Sequence, residues 1–299
     1  MKPAVVVWAP LACAACYSLG ALALKGASER GLGPWRITFV SNVTMGVLFT
    51  PLLLLGGTFG PGWHPAQPML TGLLFFGGQI CTFLALDRGD ASVATPVLGA
   101  KVLFVTLFTA AVGTQAIPPA WWAGAALCTL ALALLGSGPR RHRGRTLPAA
   151  GYALAAAAFF ALTDVLVQRW VPLWGPGRFI PAMFGCVALL SPILIPQFRN
   201  PLREVGPGAL PWLVLGAVLI AAQALGMALT LGLYGHAPLV NILYSTRGIW
   251  TIGLVVVAGS WLGNNERHLG RSVLAIRTAG ALLLLAAVAV ALAPHFSSL

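Results

Sequence analysis

Acidic side chains are scarce. The 299 residues hold six Asp and Glu, and charged residues of both signs make up only 8% of the chain. Soluble globular domains carry about 25%, so a water-soluble enzyme and a disordered chain are both excluded. Cysteine is sparse as well: Cys13, Cys16, Cys81, Cys128 and Cys186 all stand inside apolar runs, where a free thiol behaves as a small hydrophobe. Cys13 and Cys16 form a C-x-x-C, but no histidine or second cysteine pair accompanies them, so they read as packing residues and no metal site is expected. The chain has no phosphate-cradling Gly-x-x-x-x-Gly-Lys-Ser and no Ser-His-Asp set in a plausible context. No catalytic residues and no cofactor are therefore expected, and an ATP-driven pump is argued against. The 18 Lys and Arg give a net charge of +12, yet they lie scattered between apolar runs rather than in a basic domain. Nucleic acid is not an expected partner.

What is there is apolar: 58% hydrophobic residues and a mean hydropathy of +0.87. Ten apolar segments are bounded by Gly, Pro or charge, at 4–24, 34–56, 67–86, 91–113, 120–136, 148–170, 178–197, 208–233, 237–259 and 272–293. At 1.5 Å per residue each can cross about 30 Å of hydrocarbon, the fifth only just. Backbone groups in lipid must be satisfied internally, so unbroken apolar segments of this length mean helices. The first is too long for a signal-peptide core and lacks a small-residue cleavage site, so it reads as a permanent span. Trp35, Trp63, Trp121, Trp122, Trp170, Trp174, Trp212 and Trp261 stand near segment ends, as interfacial belts require. The expected fold is an all-α membrane protein of ten transmembrane helices, with the lipid bilayer as its environment. A monomer fits, and the oligomeric state is left open.

The most polar connection, with Arg140, Arg141, His142, Arg143 and Arg145, divides the chain into five segments and five. Matches recur across it in order. Gly33-Pro34-Trp35-Arg36 answers Gly175-Pro176-Gly177-Arg178, and Gln79 answers Gln223. Gly89-Asp90-Ala91-Ser92 answers Gly235-His236-Ala237-Pro238, and the same offset sets Lys101 opposite Arg247. Trp122-Ala123-Gly124-Ala125 answers Thr278-Ala279-Gly280-Ala281. The expected organisation is a first five-helix repeat over 1–137, a basic connecting loop over 138–147 and a second five-helix repeat over 148–299. An odd number of spans per unit turns the second copy upside down, the inverted arrangement common in secondary transporters with a midplane site.

The pattern resembles the drug/metabolite transporter superfamily, specifically its ten-span, EamA-like branch. The resemblance covers nearly the whole chain and rests on the five-plus-five layout, on Pro34/Arg36 and Pro176/Arg178, and on the Gly-x-Ala-Ser/Pro entries to spans four and nine. Glu266 followed by the Gly280 helix looks like the loop and glycine helix that close each repeat there. The chain departs from the pattern at Tyr17-Ser18, where many relatives have Trp-Gly, and at Gln115, where the first repeat would have its Glu. These departures bear on any equivalence with amino-acid exporters. The resemblance implies a secondary transporter with a central cavity lined by both repeats, working by alternating access.

An ionisable residue at mid-membrane costs about 2.5–3.5 kcal/mol on insertion scales and marks a functional site by default. Lys101 and Arg247 lie about ten residues from the ends of their spans, too deep for comfortable snorkelling. Tyr244, Arg247 and Thr251 share a helical face, with Asn241 and Trp250 one step away. Such cations with aromatic and amide neighbours suit an anionic head on an organic body. Lys101, Arg247, Tyr244, Asn241, Trp250, Gln79 and Gln223 are the candidate substrate-binding residues. The competing reading is that the cations pair with buried acids and merely hold helices together. Asp164, the only acid well inside a span, is the candidate proton-coupling group, or else bonds a neighbouring helix. The expected function is transport of small organic metabolites, anionic or zwitterionic, across a bacterial inner membrane. An exporter or flippase of amphipathic lipids or drugs is the nearest alternative, and a membrane-embedded transferase a more distant one.

Loop charges give an orientation. Eleven cations (Lys25, Arg30, Arg88, Arg140, Arg141, Arg143, Arg145, Arg199, Arg203, Arg267 and Arg271) fall on one side against Lys2, Arg169 and Arg178 on the side of the termini. The positive-inside rule then sets both termini outside the cytoplasm, against the orientation that the resemblance implies.

Overall fold

The computed structural model describes residues 3–88, 91–113, 115–136, 146–198, 205–206, 208–258 and 271–296. Most of the basic connection, with its four arginines, lies outside the described residues, as do Lys2, Gly89, Asp90, Arg199, Arg203, Trp261, Glu266 and Arg267. Among the described residues every element is helical: α1 (Pro3–Glu29), α2 (Pro34–Phe49), α3 (Ala66–Arg88), α4 (Ala91–Leu98), α5 (Lys101–Val112), α6 (Pro119–Leu135), α7 (Thr146–Trp174), α8 (Pro176–Leu190), α9 (Leu210–Tyr234), α10 (Ala237–Tyr244), α11 (Arg247–Ala258) and α12 (Arg271–Phe296). Among the described residues eight stretches are long and apolar enough to cross a membrane, and α6 is a shorter apolar helix.

Three expectations need correction. The second and seventh segments are not α-helical throughout: α2 and α8 pass into 3₁₀ turns over Thr50–Leu55 and Ser191–Gln197. Pro51 and Pro192 follow at once, and a proline offers no N–H and disfavours the α conformation in its predecessor. Thr50 and Ser191 donate back to the Gly46 and Val187 carbonyls, so the groups freed there stay bonded. The fourth and ninth segments are likewise not continuous. Each is two short helices joined by a tight turn, at Gly99-Ala100 and at Ser245-Thr246. Pro96 and Gly99 weaken the first. In the second, Ser245 Oγ donates to the Asn241 carbonyl (2.8 Å) and Thr246 Oγ1 to that of Leu243 (2.7 Å), hydroxyl bonds that compete with the helix ladder. Finally, Trp121 and Trp174 do not line a lipid interface. Both are buried, donating from Nε1 to the Ala291 carbonyl and to Gln67 Oε1, because a buried indole needs a partner for its N–H.

Helices from the two halves pack against each other. α1 runs along α9, α3 along α7 and α6 along α12, while α2 lies on α8. α10 is buried along its whole length and touches α1, α5, α6 and α12. Helix association in lipid depends on close backbone approach. At the α6–α12 seam a Cβ on Gly280 would come within 3.0 Å of the Ala131 carbonyl oxygen, and one on Gly124 within 3.2 Å of that of Ala287. Backbone atoms cannot swing aside, so Gly280→Leu is expected to destabilise the fold by about 1–3 kcal/mol, the usual cost of overpacking. Thermal unfolding in detergent measures this; a melting temperature equal to the parent's would contradict the seam.

Candidate functional site

The two interrupted helices set their cations at equivalent points: Lys101 opens α5 and Arg247 opens α11. Helix starts carry a partial positive charge, so a cation there needs compensation. Lys101 has it. Its Nζ lies 2.7 Å from Asp164 Oδ2 on α7, with 15% and 16% of the two side chains accessible. The pair is largely buried.

Arg247 is accommodated differently. Its guanidinium carbon sits 4.6 Å from the centre of the Tyr244 ring and 5.0 Å from that of Tyr17, and the two rings meet edge to face at 6.0 Å. No described carboxylate lies within ion-pair distance of it. The buried Tyr244 ring and the half-buried Tyr17 ring, at about 0.5–2 kcal/mol each, offset part of the ~2.5–3.5 kcal/mol of mid-membrane insertion, while leaving the charge itself uncompensated. Lys101 Nζ is 6.0 Å from the same Tyr244 ring, so this tyrosine stands between the two cations. Ser18 Oγ on α1 is 3.0 Å from the Arg247 carbonyl oxygen, and Thr251 Oγ1 lies 2.8 Å from that carbonyl and 3.1 Å from Ser18 Oγ. These hydroxyls tie the start of α11 to α1.

Thus Lys101, Asp164, Tyr244 and Arg247 come together. The other candidates sit apart. Asn241 is buried and donates from Nδ2 within α10 to the Ala237 carbonyl at 3.1 Å. Trp250 is 49% exposed. Gln79 exchanges two hydrogen bonds of 2.9 Å with Asn42, which also donates to Ser191 Oγ, so it joins α3 to α2. Gln223 is half-buried on α9. Arg36 is buried at the start of α2, and the Arg178 guanidinium lies 4.4 Å over the Phe59 ring. Sequence reasoning missed Tyr17 and Ser18 as site residues, although their departure from the Trp-Gly of the resembling family was the available signal.

A charged centre enclosed by long apolar helices defines a multi-pass helical membrane protein. Residues 4–137 match the model of the EamA-like transporter family, whose name describes transport rather than catalysis. A solved crystal structure of a protein shares the fold, with a TM-score of 0.75, 96% of each chain covered and 21% sequence identity. No curated protein matches the chain.

Removing one member of a buried ion pair costs about 3–5 kcal/mol, whereas replacing both with neutral groups costs far less. Asp164→Asn and Lys101→Met are each expected to destabilise the protein by that order, and the double variant to recover most of the loss. Unfolding in detergent of all four proteins closes the cycle; simple additivity would contradict the pair.

Proposed function

We propose that the chain is a secondary transporter moving small organic metabolites with a negatively charged group, anionic or zwitterionic, across a bacterial inner membrane by alternating access. In this reading ten spans form two inverted five-helix repeats of the drug/metabolite transporter superfamily, with α4–α5 and α10–α11 each counted as one broken span. The observation that carries it is the matched placement of Lys101 and Arg247 at the starts of α5 and α11, sharing Tyr244. Interrupted helices whose starts face the centre are the usual means of holding anionic solutes at mid-membrane.

The packing supports the repeats. Exchange α1 through α6 for α7 through α12 and several of the main contacts map onto each other, although α7–α9, α5–α6 and α5–α10 have no comparable counterpart among the described residues. The pairing α1 with α9 becomes α7 with α3, and α2 with α9 becomes α8 with α3. The contacts of α1 with α10 and α11 become those of α7 with α4 and α5. The pairs α2–α8 and α6–α12 map onto themselves. Pro34 and Pro176 both open their helices after a glycine, and both helices end in 3₁₀ turns. Asp164, as the partner of Lys101, is where proton coupling would act.

Uptake by reconstituted protein across a broad metabolite panel tests the function. Arg247→Ala is expected to lower uptake of the transported solute by tenfold or more, since about 1.4 kcal/mol already accounts for a factor of ten, and Lys101→Ala to lower it as well. Undiminished uptake by both variants would refute the assignment of these anchors. A reporter active only in the cytoplasm, fused to the C-terminus, should be silent if the loop charges set the orientation; activity would reverse it.

A further inference from the structure

Each central cation is met by a helix from the other half of the chain. On α7, Asp164 reaches Lys101 at the start of α5; on α1, Tyr17 and Ser18 reach Arg247 at the start of α11. One cation has a carboxylate from the opposing half; the other has a phenol ring, while the Ser18 hydroxyl bonds its backbone carbonyl rather than its guanidinium. Lys101 and Asp164 neutralise each other, which leaves Arg247 as one net positive charge.

We infer that the site selects a monoanion, whose acidic group takes at Arg247 the place that Asp164 takes at Lys101. This rests on the transport reading above and narrows it. A zwitterion would leave the positive charge of the occupied site in place, and a dianion would overshoot it. Either remainder must be carried through a low-dielectric interior, where uncompensated charge is expensive. A single negative charge brings the occupied site to neutrality. The guanidinium offers a planar fork that suits a carboxylate, and the two tyrosine rings beside it give an apolar body a surface to rest on. Ser18 has a second consequence. Its side chain lies beside the backbone of Arg247, so a carboxylate introduced there would add a negative charge near this cation and cancel the net positive charge that the solute is to meet.

The test uses two matched sets that share a skeleton and differ in charge: 3-phenylpropionate, phenylalanine and phenylsuccinate, and propionate, alanine and succinate. Uptake of each is measured in proteoliposomes of the full chain at a clamped membrane potential. The parent protein is expected to prefer the monocarboxylate of a set by about tenfold or more over its zwitterionic and dicarboxylate partners, since a misplaced charge costs several kcal/mol. The double variant Lys101→Met/Asp164→Asn should transport less, but because it keeps the net charge of the site the ratio of monocarboxylate to zwitterion and dicarboxylate uptake should stay as in the parent. Ser18→Asp should abolish monocarboxylate uptake, with thermal unfolding in detergent confirming a folded protein. If Ser18→Asp does not fold, the double variant and the parent decide the matter alone. A parent that prefers the zwitterion or the dicarboxylate would overturn the inference, as would a folded Ser18→Asp protein with undiminished monocarboxylate uptake. If the broad panel contains transported solutes but none of these six is moved, selection of a monoanion is refuted while transport stands. If nothing in either panel moves, the transport reading fails and the inference falls with it.

Discussion

A guanidinium inside a bundle of apolar helices has to be accommodated by something, and at Arg247 two tyrosine rings do so where a carboxylate would be expected. Much of the central architecture follows from that need. Tyr244 sits three residues before Arg247, at the end of α10, and the Ser245-Thr246 turn between the two half-helices brings its ring onto the guanidinium. Tyr17 arrives from α1, which is held to α11 by the hydroxyls of Ser18 and Thr251. The Ser245 and Thr246 hydroxyls bond carbonyls of α10, so the interruption leaves fewer polar backbone groups unpaired in the membrane interior. The Lys101–Asp164 pair solves the same problem in the ordinary way on the other side of Tyr244. The asymmetry between these two solutions is what gives the centre its net positive charge.

The long apolar segments were legible because hydropathy and span length are coarse, additive properties. The same holds for the central cations: Lys101 and Arg247 stand out in any apolar run. The interruptions beside them were not read from sequence, although Pro96 and Gly99 mark the first. Ser245 and Thr246 mark the second only weakly, since hydroxyl residues bend a helix according to which carbonyl they choose, and that is decided by packing. Gln79 reads from sequence either as a lining residue or as a side chain that joins helices, and its bonds to Asn42 depend on which helices become neighbours. Trp250 is one residue from the shared face of Tyr244 and Arg247 only if the helix runs unbroken; the turn before Arg247 changes the register, and its ring is exposed. Tyr17 and Ser18 were visible as departures from a family pattern, but their meaning required α1 and α11 to be seen together.

The helices that enclose this centre owe their closeness to small residues rather than to a hydrophobic drive, since lipid tails are as apolar as leucine. Gly124 and Gly280 let α6 and α12 meet, and Trp121 fixes that seam by donating to Ala291. In the proposed transport reading, such seams hold while the contacts around the interrupted helices rearrange. α10, buried on every side, is the element on which both halves converge.

An experimental structure determined with a transported solute bound bears most directly on the account. The central claim predicts the solute's acidic group within hydrogen-bond distance of the Arg247 guanidinium, with the Lys101–Asp164 ion pair intact. An acidic group seated elsewhere, with Arg247 still enclosed by Tyr17 and Tyr244 alone, would contradict it.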